Sequence, residues 1–362
     1  MVSNDMRDSI ILTILSFVFS LIAVALMLRV STKKAWYDEQ NERKIHAGDI
    51  PRLGGAGFAT VFIAIALFIT LRDPESSFRI RFFFPILALV LVLVSGIMDD
   101  FKPLRPLVKL LIQVVAALCI VIPGYTFKRF FFTAELAPGF EWVLNILSFI
   151  WIVGLTNAMN FIDGVDGLAG GVSFLAVLAY AAIFMSLSES SPVALYCFCL
   201  MAVLLGFLVF NLPLPAAKIF MGDGGSQFLG FILALFPLLN WERTAPAHTL
   251  PLFYAAALLL LPILDTVAAI WRRVRDGRAI YLPDKSHTHH KLMNLGLKAR
   301  GVDGFFYGMQ IILGLLVLFS VRSKGAASLI LLGAAYVSAI CFFVVIHFVN
   351  RKTVVKQPLN KG

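Results

Sequence analysis

Residues 142–187 read WVLNILSFIWIVGLTNAMNFIDGVDGLAGGVSFLAVLAYAAIFMSL. Two uncharged apolar runs, 142–158 and 167–187, flank a short loop in which Asn and Asp recur. A bilayer core needs about 20 apolar residues per helical crossing, so each run is predicted to span a membrane and the loop to sit at its surface. Similar runs extend outward in both directions, near residues 10–28, 54–71, 82–98, 107–122, 193–211, 225–240, 248–271, 305–320 and 326–349. The expected fold class is all-α: a polytopic integral membrane protein with about 11 transmembrane helices in a single domain over 1–362. The fifth and seventh helices are the candidates for tilt or interruption.

Composition agrees. Hydrophobic residues make up 59% of the 362 and charged residues 14%, with 33 Phe, against roughly a quarter charged in a soluble domain. Mean hydropathy is +0.87, which excludes an ordinary soluble fold. The first run, Ile10 to Leu28, is too long for a signal-peptide core and is followed by basic residues with no small-residue cleavage site, so it is expected to stay as helix 1. Cys119, Cys197, Cys199 and Cys341 lie in apolar stretches without metal-ligand spacing and read as small hydrophobes. A net charge of +10 would point a soluble protein toward nucleic acid, but in a membrane protein Lys and Arg orient the helices, and no nucleic-acid partner is expected. With the N-terminus outside, loops 29–53, 99–109, 159–166, 212–224 and 272–304 and the tail from 350 carry 22 of the 31 Lys and Arg residues, which makes them and the C-terminus cytoplasmic.

Those same loops hold the chemistry-bearing residues. Asp99 and Asp100 close the third apolar run beside Lys102, Arg105 and Lys109; paired carboxylates next to cations hold a divalent ion or remove a proton, and acids at a helix C-terminus oppose its dipole. Asn157, Asn160, Asp163 and Asp166 recur every three residues, a spacing that lines one helix face. Four such groups without a balancing cation are costly at a membrane boundary unless they meet a metal or substrate. In KIFMGDGGSQFLG, 218–230, Asp223 precedes an expected helix start near 225, so it reads as a metal ligand or an N-cap, with the helix amides free for phosphate. Loop 272–304 combines Arg272, Arg273, Arg275 and Arg278 with His287, His289 and His290. Three His in four residues resemble a zinc cluster, yet no Cys partner or HExxH helix accompanies them, and donation to a diphosphate fits better. His46, Arg52 and the Gly54–Gly55 pair stand at the inside mouth of helix 2.

Together DD at 99–100, NAMNFIDGVDGL at 157–168, FMGDGGS at 220–226 and HTHH at 287–290 resemble the motifs of the polyprenyl-phosphate N-acetylhexosamine-1-phosphate transferases, glycosyltransferase family 4. The resemblance covers nearly the whole chain. It implies transfer of N-acetylglucosamine 1-phosphate, or a related N-acetylhexosamine 1-phosphate, from a UDP-sugar to undecaprenyl phosphate, with Mg²⁺ (Mn²⁺ as the alternative) and release of UMP. By the same resemblance Asn160 and Asp223 are Mg²⁺ ligands; Asp99, Asp100, Asp163 and Lys109 belong to the catalytic set, the paired acids and the lysine lying near the lipid phosphate; Asp166 and Phe220 bind uracil; and His289 and His290, assisted by His287, lie near the diphosphate or sugar. The implied setting is the bacterial cytoplasmic (inner) membrane with the active site on the cytoplasmic face. The implied partners are UDP-N-acetylhexosamine, undecaprenyl phosphate and membrane lipid, with a homodimer left open. HTHHKL and PRLGG depart from the HHH and PTMGG of the phospho-N-acetylmuramoyl-pentapeptide transferases, which favours the N-acetylglucosamine branch that initiates O-antigen, enterobacterial-antigen or teichoic-acid synthesis. The competing classes are a transporter, whose polar groups would lie near the midplane on broken helices, and a lipid-binding module without catalysis.

Overall fold

The computed structural model describes residues 2–37, 50–72, 76–127, 141–187, 192–212, 216–244, 251–279 and 286–356. Among them the chain is mostly helical: ten of the eleven apolar runs each coincide with one helix, and the ninth is divided between two. In order these are α1 (Val2–Lys33), α2 (Gly54–Arg72), α3 (Ser76–Phe101), α4 (Pro106–Val121), α5 (Glu141–Ile162), α6 (Leu168–Leu187), α7 (Pro192–Asn211), α8 (Gly222–Thr244), α9 (Pro251–Leu258), α10 (Leu260–Arg275), α11 (Thr288–Asn294), α12 (Ala299–Arg322) and α13 (Ala326–Lys356). Nine described helices are long and apolar enough to cross a membrane, and α9 with α10 makes up to ten. With 16 residues, α4 is shorter.

The fifth and seventh helices, the candidates for tilt or interruption, run without interruption as α5 and α7. The break lies in the ninth run, where α9 and α10 meet at 81°. Leu258 O, next to the break, accepts a hydrogen bond from Gln310 Nε2 of α12 at 2.9 Å. A neighbouring side chain thus serves a backbone group that hydrocarbon would leave unsatisfied.

α8 is the axis. It is buried along most of its length, while α1 and α13 lie at the periphery, and α3, α5, α2 and α6 pack around it. Close approach at its N-terminal end rests on glycines: a Cβ on Gly55 would stand 2.2 Å from Gly225 Cα, and one on Gly96 2.5 Å from Gly224 Cα. Backbones that near can meet only where side chains are absent. The C-terminal ends of α3, α5 and α7 and the N-terminal ends of α2, α4, α6, α8 and α12 gather at this end of the bundle, as the side-chain bonds below show.

Candidate active site

α3 ends against the start of α8, and that junction explains the two acids. Asp100 accepts hydrogen bonds from Asp223 N at 2.7 Å and Gly224 N at 3.0 Å. Its carboxylate, unfavourable at the end of its own helix, lies at the positive end of α8. The helix begins at Gly222, so Asp223 lies within its first turn rather than ahead of it, and the amides read as free for phosphate are occupied by Asp100. Gly222 has φ +72°, and a Cβ there would meet Arg52 O at 2.3 Å; the tight turn needs glycine.

Asp99 turns the other way. It accepts from Leu104 N at 2.6 Å and pairs with the Lys109 ammonium. The same ammonium donates to Asp223 Oδ2 at 2.8 Å. Lys109, brought in by α4, therefore ties the end of α3 to the start of α8. A buried chain continues inward: Gln113 Nε2 donates to Gln227 Oε1 at 3.0 Å, and Asn157 Nδ2 to Gln113 Oε1 at 2.7 Å.

The Asn/Asp motif is not one helix face. α5 stops at Ile162, so Asn157 and Asn160 are helical, while Asp163 and Asp166 lie in the turn that follows. Asn160 Nδ2 donates to Ser226 Oγ at 2.9 Å, which puts the side chain beside Asp223. Burial, reinforced by the negative charges of Asp223, Asp100 and Asp166, pushes the Asp163 carboxyl well above the usual carboxylate range. Asp166 accepts from Ala217 N at 3.2 Å, and Asn211 bridges the same two loops, accepting from Gly167 N at 2.8 Å and donating to Ile219 O at 2.9 Å. Half-buried Phe220 follows directly, its amide donating to Pro51 O at 2.7 Å. From α12, Arg300 reaches Asp166 O at 3.3 Å while pairing with Asp303 at 3.1 Å, and Tyr307 donates to Gly167 O at 2.6 Å.

The His motif docks on this turn. His289 is 2% exposed, and its Nδ1 has no hydrogen-bond partner; a Cβ on Gly164 would lie 2.4 Å from its Nε2. Burial, with His290 and His287 beside it, holds its imidazole down at about 3. His290 lies next to it, ring centres 4.3 Å apart. His287 is not a free donor: its Nδ1 is 2.6 Å from Asp265 Oδ2. Of the arginines, Arg273 is buried with its guanidinium 5.5 Å from the Phe161 ring centre, whereas Arg275 pairs with Asp276 at 2.9 Å in solvent. His46 lies outside the described residues.

Sequence reading missed Asp265, Gln113, Gln227, Asn211 and the Arg300–Asp303–Tyr307 group. The first four had a signal, being polar residues within or at the end of apolar runs. The α12 group had none, since its role comes from packing alone.

Four carboxylates (Asp99, Asp100, Asp163, Asp223), the Asn160 amide and Lys109 thus meet at one end of the bundle. Hard oxygen donors with an excess of negative charge fit a divalent cation. Among the described residues no group of three or more His, Cys, Asp or Glu side chains is placed to hold a metal ion by itself; a Mg²⁺ held through Asp223 and Asn160 would take its other ligands from water and phosphate.

The sequence profile described as Glycosyl transferase family 4 matches residues 82–240, which contain every acid of this cluster. Over 302 residues the chain is 34% identical to the probable undecaprenyl-phosphate N-acetylglucosaminyl 1-phosphate transferase of Bacillus subtilis (strain 168), covering 83% of this chain and 81% of that protein. It is 31% identical over 298 residues to the undecaprenyl-phosphate alpha-N-acetylglucosaminyl 1-phosphate transferase of Salmonella typhi, and 32% over 295 to that of Yersinia pestis, each covering 78% of this chain and 76% of the relative. An all-α membrane bundle with acids converged at one end, sharing that much sequence along most of its length, belongs to glycosyl transferase family 4.

Proposed function

We propose that this protein transfers N-acetylglucosamine 1-phosphate from UDP-N-acetylglucosamine to undecaprenyl phosphate on the cytoplasmic face of a bacterial inner membrane, releasing UMP. The observation that carries this reading is the Lys109 bridge between Asp99 and Asp223 at a helix end. It is a cation held where an anionic lipid headgroup arriving from the bilayer would meet a polar donor from the aqueous side. The names of the relatives supply the transferred group and the lipid acceptor, and the UDP donor is part of the proposal.

In this reading Asp223 and Asn160 hold Mg²⁺, which neutralises the diphosphate when bound. Lys109, freed from one carboxylate, orients a phosphate oxygen, and Asp100 keeps the start of α8 in place. Asp166 and Phe220, on two laced loops, receive the uracil, while Arg273 and the His motif face the sugar-phosphate side. A lipid phosphate with its second pKa near 6 is largely ionised at neutral pH, so positioning and charge neutralisation do most of the work asked of the protein. The whole chain acts as one catalytic unit.

The test is a panel of radiolabelled UDP-sugars with undecaprenyl phosphate and Mg²⁺ on purified protein. UDP-N-acetylglucosamine is expected to give a lipid-linked product, and Asp223→Ala to lower its rate at least about 100-fold, as expected when a preorganised charge is lost. A folded Asp223→Ala protein with normal transfer, or no product from any donor, sinks the proposal.

A further inference from the structure

Asp265 belongs to none of the motifs above. It is an acid inside an apolar run, 2% exposed, and a lone carboxylate buried there is costly unless it is paired and fully hydrogen-bonded. The break between α9 and α10 turns α10 so that Asp265 meets the start of α11. There it accepts three hydrogen bonds, from His287 Nδ1 at 2.6 Å, Thr288 N at 2.8 Å and Thr288 Oγ1 at 2.7 Å. Holding the first turn of α11 requires only the bonds to Thr288. The bond to His287 is additional, and it determines which ring nitrogen remains for other work.

The ring is also held on its faces. His289 lies nearly parallel to it, centres 5.7 Å apart and planes at 1°, and Phe161 of α5 packs at 5.9 Å. Among the described residues, Asp265 of α10, the His289 ring and, across Phe161, the Arg273 guanidinium stand around it. Phe161 adjoins Asn160, and His289 abuts Gly164, so the His pair is fastened to the turn that carries the site. A histidine whose Nδ1–H is bound to a carboxylate has a fixed tautomer and orientation and presents Nε2.

We infer that Asp265 is a positioning residue: it holds His287 with Nδ1–H on the carboxylate, so that Nε2 faces the phosphate-bearing substrate. This rests on the phosphosugar-transfer reading above. Asp265→Asn preserves size and the bonds from Thr288, but its amide can donate to Nδ1 and reverse the tautomer, the defect that an Asp-to-Asn change produces in serine-protease triads.

The experiment uses the full-length protein in lipid nanodiscs, with ¹⁵N-histidine NMR and the transfer assay in parallel, and His287→Gln to assign the signal. Wild type is expected to show an Nδ1-protonated His287 and Asp265→Asn the opposite tautomer. The variant's kcat should fall at least about 100-fold while KM for the nucleotide sugar stays within about 3-fold. Asp265→Glu should recover part of the rate with the wild-type tautomer, and Thr288→Val, which removes one bond to Asp265 and none to His287, should lose less rate than Asp265→Asn and keep the wild-type tautomer. Wild-type tautomer and kcat in Asp265→Asn overturn the inference. So do equal losses in Asp265→Asn and Thr288→Val with the tautomer unchanged, which would make Asp265 a cap of α11 only. The tautomer is read without turnover, so a switched tautomer in a protein that transfers no sugar phosphate would refute the functional reading and leave the orientation intact.

Discussion

Lys109 is the residue on which the acid cluster depends. Replacing it with Met leaves Asp99 and Asp223 facing each other without a cation. Lys109→Met is expected to lose at least about 100-fold in transfer rate, and Lys109→Arg to recover part of it, measured as lipid-linked product. His289 yields a prediction with a definite sign. Its folded-state value of about 3 lies below the usual 6.5, so the unfolded chain binds the proton first. The stability it contributes is complete above about 6.5 and is lost as pH falls toward 3. Between pH 7 and pH 5 the loss is about 2 kcal/mol, read as a drop in thermal midpoint that His289→Gln should largely abolish. Asp163, raised above the carboxylate range, contributes the opposite slope, and comparison with the His289 variant cancels it.

At the scale of elements, α8 depends on close backbone contact at its polar end and α9–α10 on a replaced backbone partner. A side chain at Gly55 would collide with Gly225 backbone, which cannot yield as a flexible side chain can. Gly55→Val is therefore expected to separate α2 from α8, lowering the thermal midpoint and reducing transfer more than about 10-fold, while Gly333→Val, with open space around it, should be near neutral, as surface substitutions are. Gln310→Leu removes the donor to Leu258 O at the break. Hydrogen bonds between membrane helices are worth about 1 kcal/mol, so a modest loss of midpoint is expected, larger than for a lipid-facing substitution on α12.

At the scale of the molecule, polar and apolar work are separated along the bundle axis. The Asp8–Arg72 pair, 3.8 Å, joins the start of α1 to the end of α2, opposite the end where Arg52, Asp100, Asp163 and Asp223 meet. Single cysteines at Lys102, Lys218 and Lys298 are expected to react with an impermeant thiol reagent in inverted vesicles, and a cysteine at Asp8 in right-side-out ones. Labelling of Asp8 and Lys218 from the same side would refute the topology.

How much was legible in the sequence follows from range. Apolar runs of about bilayer length, a 22-of-31 bias of cations and four ordered motifs are local or additive signals, and they were enough for an all-α membrane bundle and to single out Asp99, Asp100, Asn160 and Asp223, which the structure brings to one end of it. Partnerships were not legible. That Asp100 would cap a helix more than a hundred residues away, that Lys109 would bridge two acids, and that Asp265 would stand behind His287 depend on which helix ends abut. Packing of glycine-lined backbones and an 81° break settle those contacts. Hydrophobicity decides only that helices form and span; side-chain complementarity between distant segments decides which polar groups meet.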